Sequence, residues 1–437
     1  MGIFYRFLTF ILPPFTFRVF FRRIFYSNLK KVPLDKPLLF AGNHQNSFTD
    51  GMLVGAYLTQ PINFLMRADM FRNSIARFCL RELNVSPVYR FEEGLENVHR
   101  NRETFNWIYD VLKKNGNYVV FSEGICVQEK RLQKLRKGTG RMAFGAEEEF
   151  GLDVHIVPVG INYTYPSKFR KEVLINFDDA FSIKELKSLY ETNKAKALLA
   201  FNEKVAAGLN RQVIIVENPE NDTFAEQMLM MARNNTIHPF FRWKFDDDSR
   251  RAMEKGICDK INYMDIRDRE KLNLFREKAG AYMKLLQENG IRDENIARKL
   301  DYGFLRYLTL VAGLPLFVAG YAANLIPYLV PRIICNTLIK DLRFYSSVYM
   351  AVGTILYIIY FPVAAILSVI FLGWWGIPAA LAVPLLGYAV LFYQEIARER
   401  YHTFRYRLKK LTRPGLIKEL SARRAEILKE FEEYKAV

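Results

Sequence analysis

Residues 38–50 read LLFAGNHQNSFTD, and this stretch decides the fold class. Its apolar start, residues 38–41, has the length and composition of a buried strand. A small polar turn with one histidine, His44, follows, and Asp50 comes six positions later near the start of a predicted helix. In open α/β sheets, ligands bind at the ends of strands where such turns lie. The stretch therefore predicts a strand, a turn and a helix, with a functional site at the turn.

Short apolar runs alternate with helical patterns up to about residue 215. The runs are 63–66, 118–121 and 154–162, and the helical patterns include 95–114 and 137–150. This alternation predicts an α/β sheet flanked by helices. The next segment is dense in charge, which is typical of solvated helices, and its acidic triplet at 246–248 lacks the other positions of a calcium loop. We expect a helical, charged insertion there in preference to a second active site.

The charge balance points to an anionic partner. The chain has 437 residues, with 63 Lys and Arg against 46 Asp and Glu, for a net charge of +17. Nucleic acid, a phosphorylated substrate and an acidic membrane surface would all fit. No charged residue occurs over 307–331 or 344–394, and such lengths are those of membrane-spanning helices. We expect an integral membrane protein; no nucleic-acid-binding signature accompanies the charge.

The long uncharged run contains a turn signal, GWWGIP at 373–378, which predicts two helices, 346–370 and 378–394, in a hairpin. Lysines and arginines flank both ends, so the positive-inside rule places the flanks, and the domain before them, on the cytoplasmic face. The 307–331 run contains Pro315 and Pro327 and would cross an even number of times or re-enter.

These patterns divide the chain into five segments. We predict an interfacial segment at 1–35, an α/β domain at 36–216, a helical charged subdomain at 217–302, a membrane region at 303–396 and a basic amphipathic tail at 397–437. The first and last would lie on the membrane surface, with arginines reaching lipid phosphates.

The candidate chemistry is acid–base chemistry at His44. An imidazole works as a general base when a carboxylate fixes its tautomer and stabilises the imidazolium. A lone histidine is more often structural, but two later stretches add polar groups at strand ends. Ser122-Glu123-Gly124 follows one buried strand, and Gly160-Ile161-Asn162 comes at the end of another. Between them, Lys137-Gly138 begins a helix whose first N–H groups would suit a phosphate. No G-x-S-x-G elbow indicates a serine nucleophile.

Four sequence blocks, in the same order, resemble those of the glycerophospholipid acyltransferase superfamily, which includes glycerol-3-phosphate and lysophosphatidate acyltransferases. The blocks are Asn43-His44 with Asp50; Ser86-Pro87-Val88-Tyr89-Arg90, with Arg67 upstream; Phe121-Ser122-Glu123-Gly124, followed by Lys137-Gly138; and Val157-Pro158-Val159-Gly160. Any single block is weak, whereas four in the right order are specific.

The resemblance implies transfer of a fatty acyl group from acyl-CoA or acyl carrier protein to a hydroxyl of glycerol-3-phosphate or lysophosphatidate in phospholipid biosynthesis. The acyl donor would be a co-substrate, with no cofactor or metal, and the partners would be membrane lipids. His44 would take the hydroxyl proton and Asp50 would orient the ring. The implied substrate-binding residues are Arg67, Arg90 and Lys137 for the acceptor phosphate, with Glu123, Gly124 and Pro158 at the acceptor pocket.

Two alternatives stay open: an acyltransferase for another acceptor, such as a lyso-aminolipid, and a non-catalytic lipid-handling membrane protein. Ser122 stands where the family usually has Pro, and Ile125-Cys126-Val127 stands where Thr-Arg-Ser often follows. These departures concern the acceptor more than the reaction.

The first block has an unusual spacing. Five residues separate His44 from Asp50, where most family members have four. On a continuous helix, one extra residue would rotate Asp50 by about 100° away from His44. We therefore expect the extra residue in the loop, with Ser47 or Thr49 capping a helix that begins after it. The longer spacing resembles one branch of the family, which acts on glycerol-3-phosphate or dihydroxyacetone phosphate.

Overall fold

A computed structural model describes residue 5 and residues 12–89, 101–298 and 304–434. The chain divides into two compact units. The first comprises Met1–Ile214, Arg242–Arg251 and Ile339–Met350, and the second comprises Ile215–Phe241, Ala252–Leu338 and Ala351–Val437. The first unit thus includes twelve residues, 339–350, from far along the chain.

One nine-stranded sheet lies at the centre of the first unit. Its strands are β1 Phe21–Ser27, β2 Leu38–Gly42, β3 Asn63–Arg67, β4 Val85–Val88, β5 Asn117–Phe121, β6 His155–Tyr163, β7 Lys171–Phe177, β8 Phe181–Ser182 and β9 Lys244–Asp246. The order is β4-β3-β5-β2-β6-β7-β1-β9, with β8 paired to β6. β2 pairs in parallel with both β5 and β6, whereas β6 and β7 are antiparallel. The predicted α/β sheet is confirmed, and each predicted strand matches within two residues.

Helices connect these strands. They are α1 Leu12–Phe20, α2 Ser47–Gly55, α3 Ser74–Glu82, α4 Asn101–Leu112, α5 Gly138–Phe150, α6 Lys187–Thr192 and α7 Lys194–Gln212. All residues of β2 are buried, as are all but the first residue of β6, because helices cover both faces of the sheet.

The prediction that residues 1–35 lie on a membrane surface is wrong for the stretch that forms β1. Phe21, Ile24 and Tyr26 are buried, and β1 pairs in parallel with β7 and β9. Arg23 donates to Glu172 at 2.7 Å. An aromatic strand with an internally paired arginine has the same composition as an interfacial segment, which explains the error.

The charged segment at 217–302 is mainly helical, as predicted, but it also contributes β9 to the sheet, which the sequence analysis missed. Its helices are α8 Asp222–Asn235, α9 Ser249–Arg267, α10 Arg269–Asn289 and α11 Asp293–Arg298. β9 is only three residues long and pairs with β1 alone, so its pattern is too short to stand out.

Apolar helices follow: α12 Phe304–Ala323, α13 Leu325–Leu338, α14 Leu342–Leu372 and α15 Gly376–Thr412. By length and composition, one helical stretch in the described residues, Leu342–Thr412, is able to cross a membrane, with a mean hydropathy of 2.6 in its most apolar window. The pair Tyr307–Ala323 and Leu325–Leu338, bent by 60°, would be a second if it forms one span.

The turn signal at 373–378 does interrupt the long stretch. Gly373 has a φ of +57°, which favours glycine, and a Cβ on Gly376 would lie 2.3 Å from the carbonyl oxygen of Ser368. The chain therefore turns sharply where the sequence indicated. The hairpin topology and the number of membrane crossings stay predictions.

The separate amphipathic tail predicted at 397–437 is wrong in two respects. α15 continues through the predicted boundary to Thr412, and α16, Pro414–Glu433, buries its apolar side within the second unit. Phe431 packs against Phe275 of α10, with ring centroids 5.5 Å apart. The apolar face that indicated a lipid surface is therefore covered by protein.

Candidate active site

The strand register brings two loops and the last residues of β6 together at one edge of the sheet. Gly42, the last residue of β2, pairs with Phe121 on one side and Val159 on the other. The turn after β2 and the loop after β5 therefore start side by side. β6 runs on beyond Val159, and Asn43 binds Ile161 there with both ends of its amide: Nδ2 donates to the carbonyl at 3.0 Å and Oδ1 accepts from the N–H at 2.7 Å. These two hydrogen bonds fix the start of the turn.

His44 and Asp50 meet at this edge, and the predicted pairing is confirmed. His44 Nδ1 lies 2.8 Å from Asp50 Oδ2. The imidazole also stacks on the ring of Phe121, with centroids 4.0 Å apart and planes 6° from parallel. A carboxylate at Nδ1 holds the proton on that nitrogen and leaves the lone pair on Nε2. Nε2 has no hydrogen-bond partner among the described residues.

Asp50 is completely buried and accepts four hydrogen bonds. Oδ2 accepts from His44 and from the backbone N–H groups of Gln45 and Asn46 at 2.8 and 2.7 Å. Oδ1 accepts from the Tyr163 hydroxyl at 2.5 Å. Burial and the adjacent carboxylate raise the pKa of Tyr163, so its hydroxyl stays a neutral donor. The carboxylate is thus fully satisfied without a permanent cation.

The extra residue between His44 and Asp50 is accommodated differently from our expectation. α2 begins at Ser47, and neither Ser47 nor Thr49 caps it; the N-cap position is Asn46, whose side chain makes no capping bond. Ser47 has a left-handed φ of +37°. Because the Asp50 side chain turns back to the N–H groups of residues 45 and 46, one left-handed residue is enough to absorb the insertion. Asp50 therefore faces His44 from the first turn of α2.

Glu123 holds the loop after β5 to the histidine turn. Its side chain is buried; Oε2 accepts the His44 backbone N–H at 2.8 Å, and Oε1 accepts that of Gln133 at 2.9 Å. Burial raises the pKa of Glu123, and the two N–H bonds oppose that shift. Gly124 has a φ of +70°, and a Cβ there would lie 3.1 Å from Arg136 Cγ. These two predicted site residues therefore shape the backbone around His44.

The predicted phosphate-binding residues are not brought into contact with the His44–Asp50 pair in the described part of the chain. Arg67 is at the end of β3, and its guanidinium pairs with Asp69 at 2.6 Å. Lys137 is exposed just before α5. Arg90 lies outside the described residues.

Pro158 has a packing role within the sheet. It lies opposite Ala41 in the parallel register of β6 and β2. A Cβ on Gly208 of α7 would lie 2.4 Å from Pro158 Cγ, so the helix packs directly on the proline. No contact in the described residues places Pro158 beside His44, and its predicted part in substrate binding has no structural support.

The sequence analysis missed two residues that contact the pair. Tyr163 donates to Asp50, and Phe121 stacks on His44. Tyr163 comes two residues after Ile161 on the same side of β6, so the period of a strand could have placed it near the turn. Within the described ranges, no three His, Cys, Asp or Glu side chains come together as a metal site requires.

Residues 23–162 match the family model described as Acyltransferase. Over 121 residues, 26% of this chain, the sequence is 30% identical to glycerol-3-phosphate O-acyltransferase 1 of Saccharomyces cerevisiae. The chain spans 16% of the length of that relative.

Among solved structures, the chain is similar to the crystal structure of the 1-acyl-sn-glycerophosphate (LPA) acyltransferase, PlsC, from Thermotoga maritima. The match has 18% sequence identity and a TM-score of 0.33, and it covers 46% of this chain and 78% of that one.

Proposed function

Residues 23–162 belong to the glycerophospholipid acyltransferase superfamily, and on this premise we propose that the protein is a membrane-bound O-acyltransferase. It would move a fatty acyl group from acyl-CoA or acyl carrier protein to a hydroxyl of glycerol-3-phosphate or lysophosphatidate. The observation that carries the proposal is the 2.8 Å contact between His44 Nδ1 and Asp50 Oδ2. That contact leaves Nε2 as the nitrogen that can accept a proton.

The reaction needs a base because an alcohol attacks a thioester slowly until its proton is removed. His44 Nε2 would take the hydroxyl proton as the oxygen bonds to the thioester carbonyl carbon. The carbon–sulfur bond then breaks, and the leaving thiolate takes the proton from the imidazolium. Asp50 would stabilise the imidazolium while it exists, and no covalent acyl-enzyme is required. Such a base typically contributes about 10² to 10⁴ in rate.

The acceptor phosphate would be bound by basic residues near the same sheet edge. Arg67, Arg90 and Lys137 are the candidates, because guanidinium and ammonium groups make charge-assisted hydrogen bonds to phosphate. Arg67 would have to exchange its present partner, Asp69, for the substrate. Lys137 is exposed beside the first N–H groups of α5, which supports its access to a bound phosphate.

The apolar stretch Leu342–Thr412 supports a membrane-bound role for the enzyme. Basic residues flank its uncharged part, 344–394, on both sides, which favours a cytoplasmic position for those flanks and for the sheet-bearing unit. The acyl chain of the product would then enter the bilayer without crossing water. The protein should stay with the membrane pellet after a carbonate wash and dissolve only in detergent.

The proposal is tested with the full chain purified in detergent. Labelled acyl-CoA and acyl carrier protein are each offered with glycerol-3-phosphate, dihydroxyacetone phosphate, lysophosphatidate and a lyso-aminolipid. We expect one acylated phosphate-bearing product, and His44→Ala should lower kcat by roughly 10² to 10⁴. His155→Ala, at a partly exposed histidine elsewhere on the sheet, is the matched control and should keep the wild-type rate.

Other outcomes identify the alternatives. Acylation of the lyso-aminolipid alone would assign a different acceptor to the same chemistry. Binding of the donor without turnover would favour a lipid-handling protein, and wild-type turnover by His44→Ala would remove His44 as the base.

A further inference from the structure

The beginning of α14 lies against the histidine turn, although it is about 300 residues away in sequence. Ser346 and Ser347, in the second turn of this helix, are completely buried. Tyr349 packs on Phe169 and Phe20, with ring centroids 5.5 and 5.8 Å apart. These residues belong to the first unit together with the sheet, and the same helix then continues into the apolar stretch.

Ser347 uses all the hydrogen-bonding capacity of its hydroxyl on the segment between His44 and Asp50. Its Oγ accepts from the Thr49 N–H at 3.3 Å and lies 2.7 Å from Thr49 Oγ1. It also donates to the Asn46 carbonyl at 3.2 Å. A serine hydroxyl has one donor and two acceptor positions, and this arrangement fills them.

Ser347 supplies a side-chain oxygen that the N-cap residue of α2 does not. The first N–H groups of a helix need acceptors, and these normally come from the N-cap side chain. Here the Asn46 side chain donates to the Pro166 carbonyl at 3.1 Å and makes no cap. The N–H of Thr49, in the first turn of α2, is shared between the Asn46 carbonyl at 3.0 Å and Ser347 Oγ of α14 at 3.3 Å.

The Asn46–Thr49 segment is therefore held from two directions. Asp50 accepts the N–H of Asn46, and Ser347 binds the carbonyl of the same residue and the N–H of Thr49. The left-handed Ser47 lies between these anchors. Loss of the Ser347 hydroxyl would free the segment that sets the direction of the Asp50 carboxylate toward His44.

Other contacts hold the start of α14 in place independently of Ser347. Arg343 donates to the Cys126 carbonyl at 3.1 Å, and Gln128 donates to the Leu342 carbonyl at 3.0 Å. Ser346 Oγ donates to the Pro166 carbonyl at 2.5 Å. Because these bonds remain when Ser347 is changed, the effect of its hydroxyl can be measured on a folded protein.

We propose that Ser347 is a positioning residue for acyl transfer: its hydroxyl links the Asn46 carbonyl to Thr49 at the start of α2 and keeps Asp50 aligned with His44. This inference rests on the proposed function of the His44–Asp50 pair. The catalytic geometry of the sheet unit then depends on the docked start of the apolar helix, so that the helix is part of the active-site structure as well as an anchor.

Ser347→Ala is the test, with Ser346→Ala as the matched control. The two serines are adjacent and equally buried, and each substitution removes one hydroxyl. We expect kcat to fall about tenfold in Ser347→Ala, with KM for the acceptor within about twofold of wild type, because alignment is lost and binding is not. Ser346→Ala should keep kcat within about twofold, and the two variants should unfold at similar temperatures. Ser347→Thr, which restores the hydroxyl, should recover most of the loss.

Equal kcat values for Ser347→Ala and wild type would overturn the inference, as would equal losses in the two alanine variants. A second readout needs no acyl acceptor: the rate at which diethyl pyrocarbonate modifies His44, located by mass spectrometry, with His155 as the internal reference. The His44 rate should differ by about twofold or more between Ser347→Ala and wild type. An unchanged rate of His44 modification would reject the role of Ser347, even if the acceptor proposed above is wrong. A changed rate, together with no acyl transfer by wild type, would reject only the proposed function.

Discussion

Asp50 in the first unit and Asp293 in the second are both buried carboxylates with four hydrogen-bond contacts, yet their donors differ in kind. Asp293 accepts from Arg424 through both oxygens, at 2.8 and 3.4 Å, and from Tyr282 and Asn234. A permanent cation therefore balances its charge. Asp50 accepts from two backbone N–H groups, a tyrosine hydroxyl and an imidazole. Among these donors, His44 is the one that can gain a second proton.

On the proposed function, this difference separates a structural carboxylate, Asp293, from a catalytic one, Asp50. The donors around Asp50 other than His44 are neutral dipoles, so no fixed cation competes with the imidazole for its carboxylate. At Asp293, the Arg424 guanidinium already neutralises the carboxylate, so this pair can only join elements of the fold. Burial alone therefore does not identify a functional carboxylate; the charge of its donors does.

Neutralising Asp50 should lower catalysis, whereas removing Asp293 should lower stability. The effect on catalysis is the largest that we expect. Asp50→Asn removes the charge that stabilises the imidazolium and places an amide among N–H donors, so kcat should fall by roughly 10² to 10⁴. Steady-state acyl transfer measures this. Asp178→Asn is the matched control, because Asp178 is also a buried carboxylate of the first unit but is paired with Arg211. An equal loss in both variants would mean that any buried charge in this unit matters equally.

Removing the second carboxylate should instead affect stability. Asp293→Ala leaves Arg424 buried without its anion, which costs about 3 to 5 kcal/mol in free energy of unfolding. Thermal unfolding in detergent should show a lower midpoint, while folded enzyme keeps its kcat. Asp259→Ala removes an exposed pair with Lys255 and should change stability by less than about 1 kcal/mol. If Asp293→Ala lost kcat without losing stability, Asp293 would not be the structural carboxylate that we infer.

Removing one neutral donor to Asp50, the Tyr163 hydroxyl, should lower kcat by a smaller factor. Tyr163→Phe removes the hydroxyl at Oδ1, and a hydrogen bond to a charged group is worth about 1.5 to 3 kcal/mol, so kcat should fall about 10- to 100-fold. Tyr26→Phe is the control, because that buried hydroxyl donates to the Leu53 carbonyl.

The pH dependence has a definite sign. Because the pKa of Tyr163 is raised well above its ordinary value, the hydroxyl keeps its proton through the alkaline range. Wild type and Tyr163→Phe should therefore have parallel rate profiles from pH 7 to 9. A wild-type rate that falls to the level of Tyr163→Phe within that range would show that the hydroxyl ionises.

Several parts of this structure could be predicted from local patterns. The strands around residues 38–50, 118–121 and 154–162 are short apolar runs between polar turns, and a buried parallel strand requires that pattern. The pairing of His44 with Asp50 followed from their place at a strand end together with the family's block order. The same blocks indicated the family whose model matches residues 23–162, and the uncharged length of the chain after residue 343 indicated the apolar helix.

The errors came from segments whose environment depends on partners distant in sequence. Phe21–Ser27 has the aromatic and basic composition of an interfacial segment, but β7 and β9 make it a buried strand. Pro414–Glu433 has an apolar side that the second unit covers. The capping prediction failed because the helix already begins at Ser47, so that Thr49 lies within its first turn, where its hydroxyl pairs with Ser347, about 300 residues away.

The amino-acid sequence by itself determined the chemical groups, the sheet and the membrane-length helix, because strand and helix periodicity and the order of the catalytic blocks are properties of neighbouring residues. Only the tertiary structure decided which donors surround Asp50, since Tyr163 and the backbone at Asn46 reach it by folding. It also decided that a serine from the apolar helix completes the turn. Hydrogen bonds are short and directional, so the partners of a buried group depend on which distant elements pack beside it.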